Sequence, residues 1–343
     1  MKKLLNTLYV SSQGSYLSKD GECVVVRSED GQKKRFPIHV LDGVVCFGNV
    51  LCSPFLLGHC ADKGVAVSFL TEWGRFLASV RGPQSGNVLL RRAQYRMADD
   101  CESSAEIARA CIIGKIVNSR AVLRRCVRDH GDRIDREALS ATVGVLDDCT
   151  RRLQTPLLLD EARGMEGQAA NAYFSVFSQM ILQNRDVFTF TGRNRRPPVD
   201  IVNCLLSFVY TLLAHDIRSA LEAVGLDPQV GFLHRDRPGR PGLALDMMEE
   251  FRAVLADRLV LSLLNRGEVR ERGFVRKESG AVFMDDETRK VVLTGWQKRK
   301  QSEVTHPFLK EKMAFGLVFH VQAKLLARCI RHDLDGYPPF FWK

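Results

Sequence analysis

The stretch Gly164-Met165-Glu166-Gly167-Gln168-Ala169-Ala170-Asn171-Ala172-Tyr173-Phe174 belongs to the helical pattern that dominates this chain. Its apolar residues recur at helical spacing as far as Ile181, which predicts an amphipathic helix. At 3.6 residues per turn, Glu166 falls near the middle of the apolar stripe. A lone buried carboxylate is costly, and it persists when it is protonated, paired with a cation or bound to a metal. The sequence therefore predicts a partner for Glu166.

A candidate partner lies downstream, where His234 occupies a loop rich in glycine and proline. A helix is predicted directly after this loop, and its first turns carry Asp246, Glu249 and Glu250. On the helical wheel Glu249 lies at the border of the apolar stripe, whereas Glu250 and Asp257 point to solvent. Asp246 lies roughly 60° from Glu249, toward the polar side of the same helix.

Glu166, His234 and Glu249 could converge on one divalent ion, with Asp246 close by. Oxygen ligands suit Mg²⁺ or Mn²⁺, and an imidazole among them favours Mn²⁺. Structural interpretations stay open on the residues alone. Acidic residues in a first helical turn stabilise the helix dipole, and Glu166 could instead pair with one of the many arginines.

Composition points to a basic protein with a real core. The chain has 343 residues, of which 45% are hydrophobic, with a net charge of +10 and a pI of about 9.2. The positive excess favours nucleic acid as a partner. The ten cysteines include no Cys-x-x-Cys pair, which predicts free thiols in a reducing cytoplasm rather than a zinc site. Neither a signal peptide nor an apolar run of about 20 residues is evident, so we expect no membrane association.

Hydrophobic periodicity changes near residue 86 and predicts an α+β fold. Residues 1–86 read as short strands separated by turn signals, which predicts a small β-rich, β-sandwich-like domain. Residues 87–343 read as a larger, mainly α-helical domain with a β-hairpin over 280–293. Its predicted helical segments are 87–129, 134–153, 166–184, 198–224, 243–267 and 307–333.

Three basic runs are candidates for contact with DNA phosphates. They comprise Arg193, Arg195 and Arg196 before a predicted helix, Arg237 and Arg240 in the loop of His234, and Lys298, Arg299 and Lys300 after the predicted hairpin. A solvated charged face is the alternative interpretation for any one run. Three runs, one of which shares the loop of His234, favour DNA.

Several ordered motifs carry a resemblance to the Cas1 family of CRISPR-associated adaptation endonucleases. The resemblance spans essentially the whole chain and points, within that family, to the subtype I-C branch. The motifs lie at 164–170, 225–228, 231–234, 243–252, 297–301 and 305–307. In this family a glutamate, a histidine and an acidic residue on the following helix bind a divalent metal.

The resemblance implies that Glu166, His234 and Glu249 are the catalytic ligands of Mg²⁺ or Mn²⁺. Glu249 stands where some members carry aspartate, and Asp246 matches a further acidic position near the site. The implied activity is that of an endonuclease and integrase, which inserts spacer DNA into the CRISPR array through attack by a DNA 3′-hydroxyl. The implied partners are prespacer and repeat DNA, a second copy of the chain joined through the β-rich domain, and the smaller adaptation subunit, Cas2.

Two other functions remain open on the residues alone. One is a non-catalytic, basic DNA-binding scaffold with a structural carboxylate–histidine cluster. The other is a metal hydrolase that acts on small molecules. Loss of DNA nicking or joining after replacement of Glu166 or His234 would separate the enzyme from the scaffold. Insensitivity to loss of Arg195, Arg196 and Lys298 would favour the small-molecule hydrolase.

Overall fold

The computed structural model describes residues 6–80, 82, 88–194 and 197–342. The chain divides into two compact units. The first comprises Met1–Ser85 and Trp296–Gln301, and the second comprises Gly86–Gly295 and Ser302–Lys343. The domain limits 1–86 and 87–343 stay a prediction.

The first unit contains two four-stranded sheets and a helix, α1 (Pro54–Asp62). One sheet has the order Asn6–Val10 (β1), Leu41–Phe47 (β5), Ala66–Leu70 (β7) and Phe76–Val80 (β8). The other has the order Lys33–Pro37 (β4), Cys23–Arg27 (β3), Tyr16–Asp20 (β2) and Leu51–Cys52 (β6). In the first sheet, β5 pairs in parallel with β1 and β7, and β8 is antiparallel to β7.

Buried valines explain why these segments form sheets. Val24, Val44 and Val67 are nearly inaccessible to solvent and join one hydrophobic core, and β-branched side chains favour extended backbone. Strand β2 was not predicted, because Ser18 and Lys19 give it a polar sequence. Those two residues pair in register with Val25 and Val24 of β3. The predicted β-rich N-terminal region is confirmed.

The second unit is mainly helical, which confirms the predicted α+β class. Its helices are α2 (Val88–Asp99), α3 (Cys101–His130), α4 (Arg136–Arg152), α5 (Leu159–Ser175), α6 (Ile201–Val224), α7 (Gly242–Phe251), α8 (Arg258–Asn265), α9 (Asp286–Gln301) and α10 (Phe315–Ile330). The end of α9, Trp296–Gln301, is grouped with the first unit. Asp100, Asp135 and Asp200 cap α3, α4 and α6 by accepting hydrogen bonds from backbone N–H groups in the first turns.

Helix α6 is the one helix in the described parts of the chain that is long and apolar enough to cross a membrane. However, 61% of its most apolar window is buried inside the protein. It packs against α7 and α10. Its apolar character therefore has an explanation in the core of the second unit.

Helices α7 and α8 are joined by a π-helical turn, Arg252–Asp257. Such a turn is wider than an α-helix and shifts the angular position of every later residue. The prediction that Asp257 points to solvent was wrong for this reason, since Asp257 is only 1% exposed. The same prediction for Glu250 was also wrong. Glu250 is fully buried, because α3 and the segment Tyr337–Phe340 cover its side of α7.

The hairpin predicted over 280–293 is wrong in its second half. Phe274–Arg276 (β9) pairs antiparallel with Val282–Met284 (β10), and residues 289–293 lie in α9. The Asp285 side chain accepts a hydrogen bond from the Thr288 N–H at 2.8 Å, as an N-terminal cap does. Acidic residues that resembled a turn in the sequence therefore begin a helix. A second short pair, Glu303–Thr305 (β11) with Lys312–Ala314 (β12), precedes α10.

Candidate functional site

Helices α3, α5 and α7 bring three charged side chains together. Lys115 of α3 is paired through Nζ with Oε1 of Glu166 on α5, and the same Nζ lies 2.9 Å from Oε2 of Glu249 on α7. The Lys115 side chain is only 11% exposed and that of Glu249 only 3%. A largely buried ammonium thus links two carboxylates from different helices, and the partner required by Glu166 is a lysine.

Glu249 is surrounded by positive charge. A terminal guanidinium nitrogen of Arg252 lies 3.0 Å from Oε1 of Glu249. Nε2 of His234 lies 4.0 Å from the same oxygen. Burial alone would raise the pKa of Glu249, but the nearby charges, chiefly those of Arg252 and Lys115, lower that pKa to about 2. Oε2 is buried beside the Lys115 ammonium. Glu249 is therefore an ionised carboxylate whose two oxygens face different cations.

Asp246 fixes both the backbone and the ring of His234. Its Oδ1 accepts from the His234 backbone N–H at 2.9 Å and lies 2.6 Å from Nδ1 of the ring. Its Oδ2 accepts from the N–H groups of Phe232 and Leu233 at 2.6 and 2.9 Å. A proton on Nδ1 that is shared with Asp246 leaves the Nε2 lone pair on the side of Glu249. Such a carboxylate partner is typical of metal-binding histidines.

The loop before His234 is also held from α3 and α5. Arg163, one turn before Glu166 on α5, donates from Nε and a terminal nitrogen to the Leu233 carbonyl at 2.8 and 2.6 Å. Ser104 of α3 donates to the Phe232 carbonyl at 3.1 Å. The helix that carries Glu166 thus also positions the residue next to His234.

Gly231 lies where the loop passes closest to α7. A Cβ atom at this position would stand 2.7 Å from Oδ2 of Asp246, so no larger residue fits without movement of the carboxylate or the loop. Gln94 of α2 holds the preceding turn by donating to the carbonyls of Asp227 and Val230, both at 2.8 Å. The position of His234 is therefore determined by packing on four helices.

A pocket of about 330 Å³ adjoins Lys115 and Glu166. Its further polar lining comprises Ser119, Asn171, Tyr173, Arg193, Tyr210, Arg252 and Asp257. The Asp257 carboxylate accepts hydrogen bonds from Tyr210 and Tyr173 at 2.7 and 3.1 Å. Burial raises the pKa of Asp257 to about 6, although hydrogen bonds from both tyrosines act in the opposite direction.

The guanidinium groups of Arg193 and Arg252 each lie 5.1 Å from the centre of the Tyr210 ring. Two guanidiniums in one pocket suit an anionic ligand.

The chemistry of the donors fits a divalent ion. Two carboxylates and an imidazole whose Nδ1 is engaged by Asp246 are the ligand types that Mg²⁺ or Mn²⁺ accepts. Nevertheless, no group of three or more histidine, cysteine, aspartate or glutamate side chains in the described residues has the geometry to hold a metal. The Lys115 ammonium lies between Glu166 and Glu249 instead. The metal-binding role of Glu166, His234 and Glu249 stays a prediction.

Lys115 was missed by the sequence-based reasoning. It lies on a buried face of α3 together with Cys111, Asn118 and Val122. Successive members of this set are three or four residues apart, as expected for one face of a helix. A charge on an apolar helix face was the signal that identified Glu166, and the same signal applied to α3 would have identified Lys115. Arg252, the counter-ion of Glu249, was not predicted either.

The candidate DNA-binding residues have different environments. Arg195 and Arg196 lie outside the described residues. Arg193 lines the pocket and donates to the side chains of Asn203 and Ser207 at 2.5 and 3.2 Å, so it belongs to an internal network as much as to the surface. Arg237 is exposed and Arg240 is half-buried in the loop of His234.

The run at 298–300 belongs to the first unit. Lys298 is exposed and Arg299 is half-buried. Lys300 is only 4% exposed, and its Nζ donates to the Thr7 hydroxyl at 3.3 Å. Its predicted surface contact with phosphate does not agree with this burial, since the helix turns Lys300 toward β1.

Comparison with known proteins identifies relatives over the whole chain. The sequence model of the family described as CRISPR associated protein Cas1 matches residues 8–298. CRISPR-associated endonuclease Cas1 1 of Chlorobaculum tepidum is 60% identical over 343 residues, which cover 100% of both chains. CRISPR-associated endonuclease Cas1 2 of Rhodospirillum rubrum is 52% identical, again over 100% of both chains.

Solved structures share the fold at lower identity. A casposase bound to integration product superimposes with a TM-score of 0.86 at 23% identity, covering 99% of this chain and 95% of that one. A CAS1 protein from Thermotoga maritima gives a TM-score of 0.82 at 21% identity, covering 97% and 99%. A Cas6-RT-Cas1–Cas2 complex also gives 0.82 at 22% identity, covering 100% of this chain and 36% of that one.

Proposed function

Because this chain belongs to the Cas1 family and is a CRISPR-associated endonuclease, we propose that Glu166, His234 and Glu249 form the centre at which it cuts and joins DNA. The observation that carries the proposal is the position of Nε2 of His234, which lies 4.0 Å from an ionised, buried Glu249 while Asp246 engages Nδ1. Assignment to the subtype I-C branch remains a prediction.

The proposed centre takes Mg²⁺ or Mn²⁺ through Glu166, His234 and Glu249. A divalent ion bound there supplies Lewis acidity to the scissile phosphate and stabilises negative charge on the leaving oxygen. Glu249 offers its charge at neutral pH, because Arg252 and Lys115 lower its pKa to about 2 against the effect of burial. Asp246 keeps the imidazole in one orientation and one tautomer.

Arg252 has a second role in the proposal, as a donor to the phosphate. It lines the pocket beside Glu166 and is fixed by Glu249 at 3.0 Å. A guanidinium held in advance stabilises the charge that develops on phosphate oxygens without reorganisation during the reaction. Arg193 lines the same pocket and supports the same use.

The proposed reaction is insertion of spacer DNA into the CRISPR array. A DNA 3′-hydroxyl attacks a phosphorus atom of the array, so that a new P–O bond forms while the bond from phosphorus to the leaving 3′-oxygen breaks. One phosphodiester replaces another, and no external energy source is consumed. With water as the nucleophile, the same centre cuts DNA. The fold shared with a casposase bound to integration product supports this reading.

The proposed partners are DNA, a second copy of the chain and the Cas2 subunit. The net charge of +10 supports a polyanionic substrate. Within the first unit, Phe55 and Leu51 are 84% and 62% exposed, and exposed apolar side chains support a protein interface on the β-rich unit. A solved relative of the same fold is a Cas6-RT-Cas1–Cas2 complex. We place the protein in the cytoplasm, where its DNA substrates are found.

A strand-joining assay tests the proposal. Labelled DNA with a free 3′-hydroxyl is incubated with plasmid that carries a CRISPR repeat, in Mn²⁺ or Mg²⁺, with purified Cas2 added in one arm. Glu166→Ala, His234→Ala and Glu249→Ala are expected to abolish joining, while the exposed Glu268→Ala retains it. Undiminished joining in the three variants would refute the centre. Wild-type protein that binds DNA but never cuts or joins it would favour the scaffold.

A further inference from the structure

The Lys115 ammonium lies where two of the proposed metal ligands meet. It contacts Oε1 of Glu166 and lies 2.9 Å from Oε2 of Glu249. Arg252 engages the other oxygen of Glu249, Oε1, at 3.0 Å. The oxygens paired with Lys115 are therefore distinct from the oxygen held by Arg252.

Charge balance allows either the Lys115 ammonium or a divalent metal ion between the carboxylates of Glu166 and Glu249, but not both. The two carboxylates of Glu166 and Glu249 carry two negative charges, which Lys115 and Arg252 together neutralise. A divalent ion added between the same carboxylates would face the Lys115 ammonium at close range. Like charges at such a distance in a partly desolvated site repel strongly, so the ammonium must leave as the metal enters.

The chemistry of lysine suits such an exchange. Its ammonium is a compact point charge on a flexible four-carbon stem, whereas the planar guanidinium of an arginine is held by directional bonds. The backbone of α3 at Lys115 is fixed by Asn118, one turn later, which donates to the carbonyls of Glu250 and Phe340 at 2.7 and 2.8 Å. The stem can therefore move while the helix stays in place.

An open space is present for the released side chain. Lys115 itself lines the 330 Å³ pocket that also contains Arg193 and Arg252. In that pocket the ammonium would join two guanidiniums and meet an anionic group of the DNA. The same movement would vacate the carboxylates and deliver a positive charge to the substrate.

We propose that Lys115 is a catalytic residue that exchanges with the metal: it occupies the carboxylates before metal binding and contacts the DNA phosphate afterwards. The inference rests on the proposed metal centre. It makes an unusual prediction, because removal of a residue from the active centre should strengthen metal binding while it weakens the reaction.

The test compares Mn²⁺ affinity and strand joining in the wild-type protein and in Lys115→Met, which keeps a similar length without the charge. Free Mn²⁺ is measured by electron paramagnetic resonance during a titration without DNA. We expect Lys115→Met to bind Mn²⁺ at least about tenfold more tightly, a difference of about 1.4 kcal/mol, and to join DNA at least about tenfold more slowly at saturating Mn²⁺. Lys115→Arg, which keeps the charge, should not bind Mn²⁺ more tightly than the wild type.

Arg124→Met is the matched control. Arg124 also lies on α3 and pairs with a carboxylate, that of Asp147, at 2.8 Å. Its side chain is 56% exposed, and it pairs with none of the proposed ligands. Its Mn²⁺ affinity and joining rate should equal those of the wild type. Tighter binding of Mn²⁺ by Lys115→Met alone supports exchange.

The outcomes separate this inference from the proposed function. If the wild type binds Mn²⁺ and Lys115→Met binds it equally or more weakly, exchange is refuted and the metal centre stands. If neither protein binds Mn²⁺, the metal centre itself is refuted and exchange fails with it.

Should Lys115→Met fold poorly, the wild-type protein provides a second measurement. Reaction of Lys115 with an amine-specific reagent, followed by mass spectrometry of its peptide, should accelerate when Mn²⁺ is added, because the ammonium leaves its carboxylate partners. An unchanged or slower reaction would refute the exchange. Lys290, which is 56% exposed and paired with Glu287, serves as the internal reference.

Discussion

Asp246 holds His234 at two points, through the backbone N–H at 2.9 Å and through Nδ1 of the ring at 2.6 Å. The fully buried carboxylate therefore sets both the path of the loop and the direction of the imidazole. Asp246→Asn keeps the size of the side chain but removes its negative charge, and one of its two oxygens becomes an N–H donor. We expect Mn²⁺ affinity to fall about 10–100-fold, as when the outer partner of a metal-binding histidine is lost. A titration monitored by electron paramagnetic resonance measures it, and Asp236→Asn in the exposed part of the same loop is the control.

Gly231 is required by close packing rather than by its backbone angles. Gly231→Ala would place a Cβ atom 2.7 Å from Oδ2 of Asp246, and we expect a loss of about 1–3 kcal/mol in the free energy of unfolding. Gly164→Ala on α5 is the control, and it should raise the free energy of unfolding. A Cβ atom added there would meet no other atom within 4 Å, and alanine favours a helix over glycine by up to about 1 kcal/mol. Urea denaturation measures both, and equal stability of Gly231→Ala and the wild type would contradict the packing argument.

Asp257 should make the stability of the protein depend on pH. Its pKa is raised by burial to about 6 in the folded state, against 3.8 for an unperturbed aspartate. The folded protein therefore binds the proton more tightly than the unfolded chain, and the free energy of unfolding falls as pH rises from about 4 to about 6. The size of this contribution is on the order of 3 kcal/mol.

Asp257→Asn isolates that contribution. The variant cannot ionise, so the decline in the free energy of unfolding between pH 4 and 6 should be smaller than in the wild type. Urea denaturation at several pH values measures the difference between the two proteins. Comparison with the wild type is essential, because burial also raises the pKa of Glu250, to about 7. Identical pH profiles would show that Asp257 ionises normally.

Glu250 holds the segment Tyr337–Trp342 against the back of α7. Its carboxylate accepts hydrogen bonds from the Tyr337 hydroxyl, the Phe340 N–H at 2.7 Å and the Gln322 amide at 3.0 Å. Tyr337→Phe removes one of these bonds and should lower the free energy of unfolding by about 1–2 kcal/mol. Tyr16→Phe, at a partly exposed tyrosine of β2, should change it by less than about 0.5 kcal/mol. Chemical denaturation compares them, and equal effects would contradict a special role for Tyr337.

The sequence predicted the buried face of α5 but could not identify the partner of Glu166. A helical wheel ranks the faces of one helix and carries no information on which helices meet. Lys115 lies 51 positions before Glu166, and only the packing of α3 against α5 joins them. The His234 loop and Glu249 were found because the motif places them in order along the chain.

Errors on α7 have a different physical origin. A helical wheel assumes that one face of a helix is exposed to solvent. Helix α7 is instead covered on all sides, so both Glu249 and Glu250 are buried. The π-helical turn then breaks the period of 3.6 residues on which the wheel depends. Asp257, predicted to face water, consequently lines the pocket with Tyr173 and Tyr210.

The contact between Glu250 and Phe340 spans 90 positions of the chain, and it imposes an order on protein synthesis. Helix α7 leaves the ribosome long before residues 337–342 have been translated. Until then the Glu250 carboxylate lacks two of its three donors, the Tyr337 hydroxyl and the Phe340 N–H, and the helix that carries Glu249 lacks the cover that this segment supplies. We therefore expect a chain terminated before residue 337 to be inactive, even though it contains the proposed ligands Glu166, His234 and Glu249.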